Sequence, residues 1–235
     1  MPADPVVAVI LAAGAGRRLG WRPKVLQEVC GRPLIEWALE RLSAAGIGQT
    51  LVVTGAYADD VDRQLDGRAR SVHNPLSQEH ENFISLAVGL QAAPPGRVLV
   101  LNGDVVVADG VLQAVLAEPA AIALGVCFGE TGDEALRVEI SGDRVVRLGK
   151  GLDPLTSAGE FVGVSVLSEG ARPHYLQRVE RDRAAGHRHL YYEDVYSAIS
   201  AVQPLMPVAV AATDWAEVDT PADVASAERV VNPAA

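Results

Sequence analysis

Apolar residues recur along this 235-residue chain in two alternating rhythms. Residues 6–11 (VVAVIL) form an unbroken run rich in β-branched side chains and ended by glycines, the pattern of a strand buried on both faces. Residues 33–45 place Leu34, Ile35, Ala38, Leu39 and Leu42 on one helical face, and Gly46 ends the helix. A second strand is expected at 50–54 and a second helix at 57–65. Residues 83–90 repeat the helical spacing through Phe83, Ile84, Leu86, Ala87 and Leu90. Residues 97–101 then form a third apolar strand running into Asn102-Gly103-Asp104. This β-α-β-α-α-β order predicts an α/β fold with a doubly wound, mostly parallel sheet.

After this the rhythm changes. Residues 121–128 and 161–167 read as strands, and 136–140 with 145–148 flank the turn Ser141-Gly142-Asp143-Arg144, predicting a small β-hairpin insertion. Helices are expected near 169–183 and 193–201, with a last strand at 207–212. Thr220-Pro221-Ala222-Asp223 supplies a cap, a proline at the first helical position and an acidic third position, so a short C-terminal helix should start there. With no internal repeat or low-complexity linker, one domain over residues 1–235 is expected.

Composition narrows the partners. The chain is 49% hydrophobic and 21% charged, an ordinary globular balance, and its formal net charge is −10. That excess of acid excludes nucleic acid and anionic membrane as main partners, because both demand a basic face. Cys30 and Cys127 lack metal-ligand spacing and are expected to be small buried hydrophobes in a reducing compartment. The first residues, MPADP, lack the basic region of a leader, and the apolar run at 6–15 is too short to span a bilayer. A cytoplasmic protein is therefore expected.

The first strand opens into Leu11-Ala12-Ala13-Gly14-Ala15-Gly16-Arg17-Arg18-Leu19-Gly20-Trp21-Arg22-Pro23-Lys24. Glycines let backbone approach phosphates closely, and free N–H groups in such a loop form an anion nest. A dinucleotide-binding turn is the obvious rival. Its fingerprint is one residue shorter than the Gly-x-Gly-x-x-x-Gly found here, and it relies on backbone where this segment crowds Arg17, Arg18 and Lys24 together. The Walker A pattern also fails, because no Gly-Lys-Ser/Thr follows. Loop cations of this kind suit a triphosphate.

The segment LAAGAGRRLGWRPKVL resembles the signature loop of the sugar-phosphate and alcohol-phosphate nucleotidyltransferases. The resemblance extends from Val6 to about Val231 and implies a Rossmann-like sheet of the nucleotide-diphospho-sugar transferase type. It implies that Leu11, Ala12, Ala13, Gly14 and Gly16 clasp the nucleotide, while Arg18 or Arg17 and Lys24 handle the triphosphate. It divides the chain into a nucleotide-binding part at about 6–118, an acceptor-binding part at about 119–212, and a C-terminal metal-ligand segment and helix at 213–231.

Asp104 lies just past the end of a central strand, where open α/β sheets place their ligands. A second acidic group stands in Trp215-Ala216-Glu217-Val218-Asp219-Thr220-Pro221, where alternation puts Glu217 and Asp219 on one side. Mg²⁺ takes one or two carboxylates plus substrate phosphates. The resemblance implies Mg²⁺ held by Asp104 and Asp219, leaving the part of Glu217 open; helix capping is the alternative role for Asp219. Arginine fills 18 of the 20 basic positions, and the lysines are Lys24 and Lys150. Both fall where the resembling family places phosphate-binding lysines, Lys150 on the side of the acceptor.

Two stretches bear on the substrates. The polar loop from His73 into residues 82–86 is similar to the base-binding segment of cytidylyltransferases acting on phosphocholine and related alcohol phosphates, which makes Asn82 and Ser85 candidate nucleotide contacts. Tyr191, Tyr192, Glu193 and Asp194 combine aromatic faces with carboxylates, a pairing that attracts an ammonium group. This stretch resembles a choline-binding segment, and Glu160 fits the same group. The alternative is an ordinary amphipathic helix start. Aromatics are only 5% of the chain, so an aminoalkyl phosphonate or a polyol phosphate such as inositol phosphate stays open. The favoured expectation is transfer of CMP from CTP to a small phosphorylated acceptor, giving a CDP-alcohol and pyrophosphate. The runner-up is an NDP-sugar-forming enzyme, and a non-catalytic nucleotide binder is the reading from another class. A homodimer is compatible with all three.

Overall fold

In a computed structural model, residues 5–14 and 23–232 are described. The elements in chain order are β1 (Val6–Ala12), β2 (Glu28–Val29), β3 (Arg32–Pro33), α1 (Leu34–Ala44), β4 (Thr50–Thr54), α2 (Ala58–Leu65), β5 (Arg70–His73), α3 (Asn82–Ala92), β6 (Arg97–Asn102), β7 (Val105–Val107) and α4 (Val111–Ala117). They continue with β8 (Ile122–Phe128), β9 (Arg137–Ser141), β10 (Arg144–Gly149), β11 (Gly159–Leu167), α5 (Ala171–Ala184), α6 (Tyr192–Ile199), β12 (Leu205–Ala209), β13 (Trp215–Glu217) and α7 (Val224–Val231).

Nine strands form the main sheet in the order β5-β4-β1-β6-β11-β8-β12-β10-β9. The alternation of strand side chains divides the core in two. Val7 and Val9 of β1, Leu51 and Val53 of β4, and Val98 and Val100 of β6 pack with α3, α5 and α6 on one face. Ala8, Ile10, Val52, Leu99 and Leu101 pack with α1, α2 and α4 on the other. Both faces are covered, which is why β1 reads as a continuous apolar run.

The expected mostly parallel sheet is corrected to a mixed one. Among the described residues, β5–β4, β4–β1, β1–β6 and β8–β12 run parallel, whereas β6–β11, β11–β8, β12–β10 and β10–β9 run antiparallel. The expected hairpin is present as β9 and β10, yet it is no appendage: β10 pairs with β12, and β9 returns to the start of β11. Strand β11 bends to serve both neighbours. Its register shifts between Phe161 and Ser165, around Gly163 at φ +76°, where a Cβ would fall 2.9 Å from the Asn102 amide. Cys30 also departs from expectation. It is exposed at φ +49°, forming with Gly31 the two-residue turn between β2 and β3, while Cys127 is half-buried.

A line of rings runs through the first core face. Tyr175 of α5 lies 5.8 Å from Tyr196, Tyr196 lies 5.3 Å from Tyr192, and Tyr192 lies 6.2 Å from Phe161, each pair edge-on. Their hydroxyls are satisfied: Tyr175 donates to the Phe83 carbonyl, Tyr196 pairs with the Ser165 hydroxyl, and Tyr192 donates to Asn102 Oδ1 at 2.9 Å. This last bond ties α6 to the end of β6, two residues before Asp104. Among the described residues, no helix is long and apolar enough to cross a membrane.

Glu193 is buried beside these tyrosines, and among the described residues its Oε2 has no hydrogen-bond partner. Burial, aided by the nearby charges of Asp194 and Glu217, pushes its carboxyl up to about 8. The folded chain therefore holds a proton that an unfolded glutamate releases near its ordinary value of 4.5. Stability conferred by the neutral carboxyl is complete below that value and is lost as pH rises through about 8. Glu193→Gln, uncharged and of equal shape, should flatten this decline, so that its melting temperature gains several degrees on the wild type at high pH and none at low pH. Thermal unfolding followed across that range checks it; parallel pH profiles would contradict it.

Candidate active site

Three chain segments converge at the carboxyl end of the central strands. The first follows β1, where Leu11 is half-buried, Ala12 and Ala13 are buried and Gly14 is exposed. Gly16, Arg17 and Arg18 lie outside the described residues. The second is the turn after β6. Gly103 donates its N–H to the Leu11 carbonyl at 3.0 Å, and a Cβ there would fall 2.6 Å from that oxygen, so only glycine lets the turn lie this close to β1. The third is β13 and the residues after it. Antiparallel pairing of β13 with β7 sets Glu217 opposite Val105, and the Val218 N–H donates to the Asp104 carbonyl at 2.8 Å.

That short ribbon brings acidic residues far apart in sequence into one cluster. Asp104, Glu217 and Asp219 each present a carboxylate oxygen, all within 4.8 Å of one another. The buried Val218 between Glu217 and Asp219 fixes the alternation that turns both carboxylates the same way. The capping role considered for Asp219 belongs to Asp223, whose carboxylate accepts from the Asp219 and Thr220 N–H groups and from the Thr220 hydroxyl.

Lys24 reaches into the same cluster from the short 3-10 turn Lys24–Leu26, anchored by the buried Val25. Its ammonium donates to Asp104 Oδ2 at 2.9 Å and to Asp219 Oδ1. Burial would lower the ammonium pKa, but the two aspartates outweigh it and hold Lys24 above its usual value. Glu217 is raised as well: although the residue is exposed, desolvation of its carboxyl, then the charges of Asp104 and Asp219, push it up to about 7. Three hard oxygen donors in this arrangement have the chemistry to hold a divalent cation such as Mg²⁺.

Lys150 sits in the turn after β10, half exposed and 3.5 Å from Glu134. It lies within electrostatic reach of Glu217 and of Glu160 on β11, so it faces the same region. Burial raises the Glu160 carboxyl, opposed by Arg137 and Lys150. Pattern reading missed Arg137. Its guanidinium is buried and donates to the Lys150 carbonyl at 2.8 Å, to Gly132 and to Thr131, bracing the turn that carries Lys150. In Leu136-Arg137-Val138-Glu139 it alternates like a surface charge, so no sequence signal marked it.

Several expected contacts take other roles. Ser85 is buried, and its hydroxyl accepts from the Asn74 amide at 3.0 Å, so it braces the polar loop. Asn82 Oδ1 accepts the Tyr192 N–H at 2.9 Å, joining the starts of α3 and α6. Tyr192 belongs to the apolar core with Val195, Tyr196 and Ile199, and Glu193 is buried. Asp194 accepts the Tyr191 N–H at 2.7 Å as a helix cap, and Tyr191 is the exposed aromatic of the group.

The arrangement has relatives of known description. The chain is 28% identical to the 2-aminoethylphosphonate cytidylyltransferase of Lancefieldella rimae, over 95% of this chain and 92% of that one. It is 40% identical to part of the bifunctional protein GlmU of Pelotomaculum thermopropionicum, over 42% of this chain, and that match spans only 22% of the GlmU length. Its fold matches a CTP:phosphocholine cytidylyltransferase from Streptococcus pneumoniae with a TM-score of 0.81 at 20% identity, covering 97% of this chain and 99% of that one. It matches an inositol-1-phosphate CTP transferase from T. maritima with a TM-score of 0.79 at 20% identity, covering 97% and 96%. A family model for the MobA-like NTP transferase domain matches residues 8–203. Because that match spans most of the chain, the chain belongs to the family of nucleotidyltransferases built on the MobA-like NTP transferase domain.

Proposed function

We propose that this chain transfers CMP from CTP to a small phosphorylated or phosphonate alcohol, using Mg²⁺ and releasing pyrophosphate. The observation that carries the proposal is the Lys24 ammonium set against Asp104 and Asp219, with Glu217 alongside, at the end of β1 and β6. An acceptor oxygen that is already anionic needs no strong general base. It forms a new bond to the α-phosphorus of CTP as the bond to the pyrophosphate oxygen breaks, and pyrophosphate leaves with the electron pair. Asp104 and Asp219, with Glu217 as a third donor, would hold Mg²⁺. The ion supplies charge neutralisation for the phosphates. Lys24 contributes a compact positive charge on a flexible stem, suited to follow a phosphate as it inverts. Lys150, braced by Arg137, is the candidate partner for the acceptor's phosphate or phosphonate.

CTP is favoured by the similarity to cytidylyltransferases in sequence and fold. Glu160 and the exposed Tyr191 support an amine-bearing acceptor such as 2-aminoethylphosphonate or phosphocholine. The burial of Tyr192 favours a second reading, an uncharged polyol phosphate, because it removes one of two aromatic faces from any ammonium cage.

Pyrophosphate release with Mg²⁺, tested over CTP, UTP, dTTP and GTP, should be confined to CTP and be fastest with an amine-bearing acceptor. Turnover only with glucose 1-phosphate would overturn the acceptor assignment. Lys24→Ala and Asp104→Asn should each cut turnover by about a thousandfold while circular dichroism shows both to be folded, and near-normal turnover in either would sink the site. Lys150→Ala should raise the acceptor KM on the order of tenfold and leave the CTP KM unchanged, as initial-rate kinetics would show; the reverse pattern would reassign Lys150 to the nucleotide.

A further inference from the structure

Three carboxylates within 4.8 Å of one another, in a chain of net charge −10, cannot all stay ionised without a positive charge among them. The structure supplies that charge from within. Lys24 Nζ donates to two of the three, Asp104 and Asp219, the same two side chains assigned to Mg²⁺. An ammonium ion and a divalent cation repel each other and compete for the same carboxylates, so each weakens the other's hold at close range.

We infer that the Lys24 ammonium is a built-in stand-in for the metal, and that metal can enter only as Lys24 swings away towards the phosphates of an arriving nucleotide. The inference rests on the proposed metal-dependent transfer.

The local structure allows that swing and little else. Pro23 and Val25 on either side are buried, the Leu26 N–H bonds to the Pro23 carbonyl, and the Gln27 N–H bonds to the Lys24 carbonyl at 2.8 Å. The backbone is therefore pinned, and any movement of the ammonium falls to the four-carbon stem, which is a quarter exposed. Arginine fills all but two of the chain's basic positions, yet lysine stands here. A planar guanidinium would lock both carboxylates in bidentate geometry, whereas a point charge leaves as easily as it arrives.

The consequence is a coupling between two ligands. Free metal must break the ion pairs of Lys24 with nothing to receive the ammonium, so it binds weakly. Nucleotide receives the ammonium and delivers phosphate oxygens to the metal, so each ligand strengthens the other by the same factor. The pair thus enters together, and the acidic cluster does not fill with metal before substrate arrives.

Binding of Mn²⁺, followed by the electron paramagnetic resonance of the free ion without nucleotide, tests this independently of turnover. Lys24→Met removes the competing charge and should bind Mn²⁺ on the order of tenfold more tightly than the wild type. Lys24→Arg keeps the charge and should bind no more tightly than the wild type. Asp104→Asn should abolish the site, and circular dichroism with a thermal scan confirms that each variant is folded. Equal or weaker Mn²⁺ binding by Lys24→Met would overturn the stand-in role while leaving the metal site and the proposed reaction intact. Absence of Mn²⁺ binding in every protein, even with CTP added, would overturn both.

Discussion

Carboxylates placed close enough to share one cation repel one another until a positive charge arrives, and the site described here is built around that constraint. Asp104, Glu217 and Asp219 come from segments more than a hundred positions apart. The three-residue pairing of β7 with β13, the Val218–Asp104 backbone bond and the Asp223 cap exist in the structure as the framework that holds them. A separate apolar cluster of Val29, Leu34, Val106, Val218, Ala227 and Val230 seats this ribbon on α1 and α7. Packing there holds the acidic residues in place against their mutual repulsion, and Lys24 relieves it.

The rest of the fold feeds rigidity into that point. The ring line from Tyr175 through Tyr196 and Tyr192 to Phe161 joins α5, α6 and β11, and the Tyr192–Asn102 bond delivers it to the end of β6. Arg137 braces the Lys150 turn by donating to the Lys150 carbonyl and tying it to the Gly132 carbonyl. Fixed elements thus carry the two aspartates, while the cations that face them among the described residues are on long lysine stems. Under the proposed transfer, fixed carboxylates for the metal and lysines for the phosphates would suit a reaction in which the phosphorus moves and the metal stays.

Much of this was legible in the chain, for identifiable reasons. Strands β1, β4 and β6 are buried on both faces, so their apolar runs stand out, and the helices between them show one apolar stripe each. The position of Asp104 past β6 and the alternation of Glu217 with Asp219 are local features and could be read as such. Sheet direction was not, because periodicity carries no sign: β11 looks the same whether it runs with β6 or against it. Short elements such as β5, β7 and β13 are made by their partners and leave too few residues for a pattern. Ser85, Tyr192 and Glu193 are buried although each stands in a polar stretch, because the sequence pattern does not say which polar side chains a helix turns inward. Arg137 shows the converse error, a buried charge in a strand that alternates like a surface.

The claim on which the rest turns is that one cluster serves Lys24 before the nucleotide binds and a divalent cation afterwards. A crystal structure of the protein with CTP and Mn²⁺, with the metal located by its anomalous scattering, examines it directly. The expected result is a metal peak between Asp104 and Asp219, with the Lys24 ammonium moved onto the phosphates. A bound nucleotide with Lys24 still bridging the two aspartates, or a metal peak elsewhere, would contradict it.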